Sequence, residues 1–558
     1  VSGRNQSRAG VIAALVCLMC GSLPALVASA PRGAAAPPID PRGEAIYRDG
    51  RLPSGEPLSG RREPALAVSG AQAACANCHK RSGLGEHEGS IKIPPVNGAY
   101  LFHPRVAAPA ALDLPYVDGM RLDRDPYTPE TLARAVREGI SVEGRPLSYL
   151  MPRYAIDDAD MALLVDYLRS MAALRVRGVG GAVVHFATVI TPDADPVKRQ
   201  AMLDVLKQYF ADQNAFALRD TPQGSTAPAA RSNAKRRWQL HIWELEGPPS
   251  EWDAELRRFA AAQPVYAVIS GLGGVDWGPV HRFCEAESVP CLFPNVEAPV
   301  VSERDFYPVY FSRGVLLEAG LMARHLEAGG GGAGTRVVQV FRTDDVGVAA
   351  AAALKVALQG SGVQVVDRPL KPRTPAGRAD DRQLAAAVAD AGTAQALVLW
   401  LRAPDLAALA RLAPPASMLV MSGLMGGLES APVPAPWRSR MRMTYPLDLP
   451  EQRTVRVDYA MGWLAQKHMP VVAAQVQVDT YVACSMVLQT LEHMSGSFVS
   501  DYLVERLESM IEHQLISGYY PRLELAPNER FASKGGYVVH FDPAGGARIL
   551  ADTDWMVP

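Results

Sequence analysis

The chain has 558 residues, of which 48% are apolar and 20% charged, a globular balance that excludes a disordered or fibrous protein and predicts three or four lobes. Its 56 basic residues face 58 acidic ones, so no basic excess exists to neutralise phosphates, and nucleic acid is excluded as a partner. Seven cysteines are too few for a disulfide scaffold.

Arg4 and Arg8 precede an apolar run from Gly10 to Val27 and then Ala28-Ser29-Ala30. This is the pattern of a secretory signal peptide, residues 1–30, and it predicts a periplasmic or otherwise exported protein with no membrane span after cleavage. Residues 31–43 read as a Pro/Ala-rich leader. In residues 44–173 the predicted elements are helices. One opens with Thr128 as N-cap ahead of Pro129 and closes at Gly139. Another starts near Asp157 with Met161, Leu164, Val165 and Leu168 on one face. A glycine-rich linker, 174–181, predicts two independently folded halves with proteolysis concentrated between them.

From Val183 the pattern changes to alternation. Strand-like runs at Val183–Ile190, Trp238–Leu245, Val265–Ser270, Val337–Phe341 and Ala396–Leu401 are separated by helical patterns at Val197–Asn214, Glu251–Ala262, Gly314–Glu327, Val346–Gln359 and Arg382–Ala391. Such alternation builds parallel sheets covered on both faces, and residues 182–558 are long enough for two of them. The glycine run Gly329–Gly332 lacks a Walker lysine and reads as a turn.

Chemistry is carried by Cys75-Ala-Asn-Cys78-His79. Two thiols at this spacing can each add to one haem vinyl group, and the histidine that follows can reach the iron. A zinc half-site needs a second ligand pair, and Cys284/Cys291 have the wrong spacing for one. A redox dithiol would sit at a strand-to-helix junction, which is not the local pattern. Met151, ahead of Pro152 and outside the helical face, is the expected sixth ligand, in competition with Met120, His103 and His87; Met161 and Met171 read as core residues. A thioether closes the iron to substrates and favours the ferrous state.

Residues 44–171 resemble class I c-type cytochrome domains through Ala74-Cys-Ala-Asn-Cys-His-Lys-Arg-Ser-Gly-Leu-Gly, the stretch from Tyr127 to Ile140, Gly144-Arg-Pro-Leu and Met151-Pro-Arg-Tyr. The resemblance implies an all-α domain with one covalent haem c on Cys75 and Cys78, His79 as proximal and Met151 as distal ligand. An insertion around 103–126 departs from the pattern. Residues 182–558 resemble the type I periplasmic binding proteins of the branched-chain amino-acid kind, through Val478-Asp-Thr-Tyr-Val-Ala-Cys, Tyr520-Pro-Arg-Leu and Arg530-Phe-Ala-Ser-Lys-Gly-Gly-Tyr. The implied fold is two doubly wound α/β lobes joined by a hinge around a small ligand. Loops leaving the carboxyl ends of strands then place Ser270, Gly271, Asn295, Asp344 and Arg402 at the cleft, with pairing to Asp405 the alternative role for Arg402. Two family features are missing: the first loop reads Ile190-Thr-Pro-Asp-Ala-Asp-Pro rather than carrying Ser-Gly, and no aromatic stands near Asp345-Val346-Gly347.

Cys284 and Cys291 are spaced for either a disulfide or two buried thiols, and Cys484 falls on a predicted helix as a buried, inert thiol. The sequence shows no catalytic triad or cofactor loop beyond the haem motif. The expected function is therefore electron transfer by an exported mono-haem cytochrome, joined to a module that binds a small polar ligand or docks a redox partner. The expected partners are periplasmic redox proteins, a dehydrogenase or a terminal-oxidase pathway. Two alternatives are a transporter receptor with a haem redox sensor and, disfavoured by a methionine ligand, a haem oxidase or peroxidase.

Overall fold

The first helix shows how local sequence sets the local fold. Asp40 accepts a hydrogen bond from the Arg42 N–H at 2.9 Å, Pro41 occupies the first turn, and Gly50 closes the helix in the left-handed region, the expected arrangement of cap, proline and terminal glycine. The computed structural model describes residues 40–558 except 63–65, 89–90, 103–123, 174–175, 220–235, 303, 374–377, 495–497, 514–516 and 527–528. The expected signal peptide, most of the leader, and the competing ligands His103 and Met120 lie outside the described residues.

The amino-terminal part runs α1 (Pro41–Asp49), β1 (Ser59–Arg62), β2 (Leu66–Ser69), α2 (Ala76–His79), β3 (Glu86–Glu88), β4 (Ile91–Ile93), α3 (Gly98–Leu101), α4 (Pro129–Glu138), β5 (Arg153–Ala155) and α5 (Asp158–Ala173). Helix α4 has the predicted ends: Thr128 and Thr131 form a reciprocal capping pair and Gly139 ends it at φ 70°. On α5, Met161, Leu164, Val165 and Leu168 are buried against Ile46 and Tyr47 of α1. The all-α expectation is corrected: β2-β1-β5 form an antiparallel three-stranded sheet, with Gly60 opposite both Val68 and Tyr154, and β3 pairs with β4. Ser-Gly-Arg-Arg has neither the apolar alternation nor the branched residues by which strands are recognised.

The remainder forms two α/β lobes. In the first, β6 (Val183–Ile190), α6 (Pro196–Arg219), β7 (Arg237–Glu244), α7 (Trp252–Ala262), β8 (Ala267–Ile269), α8 (Gly278–Ala286), β9 (Cys291–Leu292) and β10 (Pro308–Ser312) alternate. Helix α9 (Val315–Ala328) leads into the second lobe: β11 (Arg336–Arg342), α10 (Gly347–Ala357), β12 (Gln364–Leu370), α11 (Arg378–Asp390), β13 (Ala396–Trp400), α12 (Ala403–Ala408), β14 (Met418–Ser422), α13 (Gly423–Gly426), α14 (Ala435–Arg438) and β15 (Met441–Tyr445). The chain then makes α15 (Thr454–Gln466), α16 (Ala474–Glu492), α17 (Ser500–Met510), β16 (Phe531–Ser533), β17 (Tyr537–Phe541) and β18 (Ile549–Ala551).

The first sheet is parallel throughout, in the order β16-β10-β9-β8-β6-β7. In the second, β12-β11-β13-β14-β15 are parallel and β17 and β18 add antiparallel. Counted from its own first strand, each lobe has the order 2-1-3-4-5, a doubly wound arrangement. Strands such as β13, buried along their whole length, explain the unbroken apolar runs in the sequence: helices cover both sheet faces. The chain crosses between lobes after β10, between β15 and α16, and between β16 and β17. At the first crossing Gly314 has φ 56°, and a Cβ there would lie 2.1 Å from the Glu297 carbonyl oxygen, so only glycine passes.

The independent halves expected from the glycine-rich linker are replaced by a tight junction. Residues 39–558 form one compact unit. Ser82, three residues after His79, donates its N–H (3.0 Å) and hydroxyl (2.6 Å) to the buried Glu505 carboxylate on α17. Arg81 lies 4.1 Å over the Phe306 ring, Arg48 reaches Asp501 at 3.4 Å, and Leu84 joins the core of the α/β part. The linker itself is packed. Val176 and Val179 rest on that core, and a Cβ on Gly178 would meet the Tyr266 backbone nitrogen at 2.3 Å. Cutting the chain near Arg177 is therefore expected to leave the two parts together: they should co-elute on gel filtration after proteolysis, and separate elution would refute the junction.

Candidate functional site

Loops leaving the carboxyl ends of the two sheets converge on one cleft of about 470 Å³, as doubly wound sheets dictate near their switch points. The first lobe supplies Asp193 and Asp195 after β6 and Asn295 and Glu297 after β9; the second supplies Asp344 and Asp345 after β11 and Arg402 after β13. Gln475 and Asp479 of α16 and Tyr520 line it as well.

Arg402 ties the lobes together. Its Nε and Nη2 donate to Asp345 at 2.7 Å each, and Nη2 reaches Glu297 of the opposite lobe at 2.5 Å. Lys198 holds the other oxygen of Glu297 at 3.1 Å. Burial alone would raise Glu297, but the two cations outweigh it and hold the carboxyl at about 2. The pairing of Arg402 with Asp405 is corrected: Asp405 is taken by Arg342 at 2.6 Å and Arg373 at 2.5 Å, two arginines far apart in sequence.

Of the five expected cleft residues, Asn295, Asp344 and Arg402 line the cavity and Ser270 and Gly271 do not. Ser270 is wholly buried with φ 49°. Its hydroxyl bonds Thr480 at 2.8 Å and accepts from Asn295 Nδ2 at 2.9 Å, so it orients Asn295 from behind. Gly271 sits where a Cβ would strike the Trp277 ring at 2.5 Å. Neither lines the cavity, and both serve packing and the strand-exit turn. The divergent first loop holds itself together: Asp193 accepts from Thr191 at 2.6 Å and from the Val275 N–H at 2.8 Å, while Asp195 caps α6.

Sequence reasoning missed Asp479 as a site residue, although it lies in the stretch that carries the family resemblance. It is 5% exposed, lines the cavity, and receives the Tyr520 hydroxyl, at 3.4 Å, on Oδ2. Its Oδ1 is buried without a hydrogen-bond partner. Burial pushes its carboxyl up to about 8, with Tyr520 and Gln475 offsetting part of the rise.

In the amino-terminal part, the residues of the haem motif fit the group. His79 closes α2, and its Nδ1 lies 2.9 Å from the Pro94 carbonyl oxygen. A carbonyl only accepts, so the proton sits on Nδ1 and the Nε2 lone pair is left for a metal. Burial lowers the His79 pKa, with the Pro94 bond opposing, which favours the neutral imidazole that ligation requires. Cys75 and Met151 both pack against the core formed by α1 and α5. Burial pushes the Cys75 thiol up to about 12, the opposite of an activated redox thiolate. His87 lies on β3, in register with Lys92 of β4.

Cys284 and Cys291 are buried free thiols; burial, and then hydrogen bonding to Cys291, raises Cys284. The disulfide alternative is not formed. Cys484 on α16 is fully buried, and burial holds its thiol protonated. Among the described residues no group of His, Cys, Asp or Glu is placed to hold a metal ion, and no helix is long and apolar enough to cross a membrane.

No protein-family model and no curated protein matches the chain. Solved structures do. A fatty acid ABC transporter substrate-binding protein from Thermomonospora curvata is 15% identical and covers 68% of this chain and 94% of its own, with a TM-score of 0.49. A leucine binding protein from Thermotoga maritima MSB8 is 15% identical over 67% of this chain and 99% of its own, with a TM-score of 0.47. A branched chain amino acid ABC transporter protein from Thermus thermophilus with bound valine is 11% identical over 68% and 98%, with a TM-score of 0.49.

Proposed function

We propose that the chain is a receptor-type binding protein of the periplasm whose α/β lobes close on a small polar ligand, and that its amino-terminal part carries one haem c. The observation that carries the reading is the charged cleft between two doubly wound lobes, spanned by Arg402 from Asp345 on one side to Glu297 on the other. A ligand that fills this cleft stabilises the closed arrangement of both lobes at once. Held at a hundred times its dissociation constant it adds about 2.7 kcal/mol, so a melting shift of a few degrees is expected when the full chain is screened against small polar compounds. Flat melting curves across the screen would refute the receptor reading.

The second reading, electron transfer, is favoured by the His79–Pro94 bond, which presents an unprotonated ring nitrogen beside two cysteines at haem-attachment spacing. Cys75 and Cys78 would hold the haem, His79 and Met151 its iron. The group supplies one-electron redox chemistry when bound. Docking of the His79 loop onto α17 through Ser82 and Glu505 supports a single protein in which haem and cleft share one rigid frame, as a receptor with a redox sensor needs. Redox partners from a dehydrogenase or terminal-oxidase pathway suit an exported carrier of this kind. Ligation by Met151 would leave the oxidase or peroxidase alternative without a free position for substrate.

A further inference from the structure

The charge balance of the cleft selects a class of ligand within the receptor reading, on which this inference rests. Its two cations are already engaged: Arg402 by Asp345 and Glu297, Lys198 by Glu297. Asp193 and Asp195 are spent on loop and helix-cap bonds. Of the ionisable acid and base side chains, those left over are Asp344 and Asp479. Asp344 stands exposed at the mouth. Asp479, 5% exposed, lines the cavity and has an Oδ1 with no hydrogen-bond partner. Asn295 has committed its amide nitrogen to Ser270. A buried carboxylate oxygen without a donor is costly, and a ligand donor relieves that cost. Phe311 and Tyr520, stacked at 5.1 Å between ring centroids, also line the cavity and give it the aromatic faces that suit a cation.

We infer that the cleft binds a small organic amine, with its ammonium group donating to Asp479 and its other end directed toward the Asp344 mouth. A zwitterion or a small acid, which the residue types alone suggest, would bring its carboxylate to a site whose two cations are already paired. A metal ion is disfavoured because the described carboxylates do not converge on one point.

The protonation state of Asp479 supplies a second signature. Because burial holds its carboxyl at about 8, it is mostly protonated at pH 7, and an arriving ammonium must drive its proton off. Titration calorimetry of the full chain with ethanolamine and 1,4-diaminobutane, and with acetate, lactate and alanine for comparison, tests this at pH 7 in two buffers of different ionisation enthalpy. The expected result is that the amines bind, with release of close to one proton, and that Asp479→Asn weakens them about thirtyfold or more and abolishes the release. The buffer dependence of the unmodified protein is informative even should the variant fold poorly. Binding of acetate, lactate or alanine but of neither amine would overturn the inference and leave the receptor reading intact. Silence from all five compounds would remove both. Amine binding with no proton release and no effect of Asp479→Asn would place the ammonium elsewhere and overturn the assignment.

Discussion

On the haem reading, Met151→Ala protein matured with its haem is expected to turn from low-spin to high-spin and to bind carbon monoxide, and the parent is expected to refuse it. Met151 is half-buried and packs on the same core as Cys75. Pro152 follows it, and Arg153 donates to the Met151 carbonyl oxygen at 2.6 Å, so the loop that carries the thioether is fixed from its own backbone. Removing the thioether leaves that backbone bond intact and, on the proposed ligation, deletes one soft ligand. The change should therefore be all-or-none in the optical spectrum while the melting temperature moves little. Replacing Cys75 and Cys78 together by alanine should abolish haem staining on a denaturing gel. A Met151→Ala protein that kept its methionine–iron charge-transfer band would assign the sixth ligand elsewhere.

The second large effect concerns pH. Burial raises Glu505 to about 8, Asp501 adds to the rise, and the two Ser82 bonds offset only part of it. Asp479 sits at about 8 and Glu318 at about 7, burial being the leading cause in both. A carboxyl whose folded pKa lies above its unfolded one favours the fold while both states are protonated, and that stability is lost as pH climbs from the unfolded value through the folded one. For Glu505 the window runs from its ordinary 4.5 to about 8. Above it the loss approaches about 5 kcal/mol, or a melting drop of about five degrees in a chain of this length. Glu505→Gln keeps both contacts, since a carboxamide can accept from the Ser82 N–H and donate to its hydroxyl. The variant is thus expected to melt above the parent at pH 8.5 and level with it at pH 4. Parallel melting curves for the two proteins across this range would show that Glu505 is not the group losing its proton.

The α/β part was legible because parallel strands buried on both faces leave unbroken apolar runs. The run Val183–Ile190 is β6 to the residue, and the runs near Trp238, Val337 and Ala396 fall within a residue or two of β7, β11 and β13. Proline and glycine punctuation likewise placed α4, because a cap acts on its own turn. Long-range pairing was opaque. Nothing in Ser-Gly-Arg-Arg announces that it lies between Leu66–Ser69 and Arg153–Ala155, and nothing near Arg402 says that Asp345 and Glu297, rather than the nearer Asp405, will reach it. The junction between the parts was hidden for the same reason: Ser82 and Glu505 are 423 residues apart. At the site, residue type marked which loops reach the cleft, but whether a side chain faces the cavity or braces a neighbour depends on backbone angles such as the φ of 49° at Ser270.

Strand β16 has a consequence for the order in which the protein can be assembled. It completes the sheet of the first lobe, with Tyr310 in register with Phe531, yet it is made only after every strand of the second lobe except β17 and β18. A chain emerging amino-terminus first therefore holds β10 as an open edge until almost all of it has been synthesised. An unfinished parallel edge invites pairing with a neighbouring chain. Contacts closing loops of more than two hundred residues are also slow to form. The vulnerable interval ends only once Phe531–Ser533 have been made and have paired with β10.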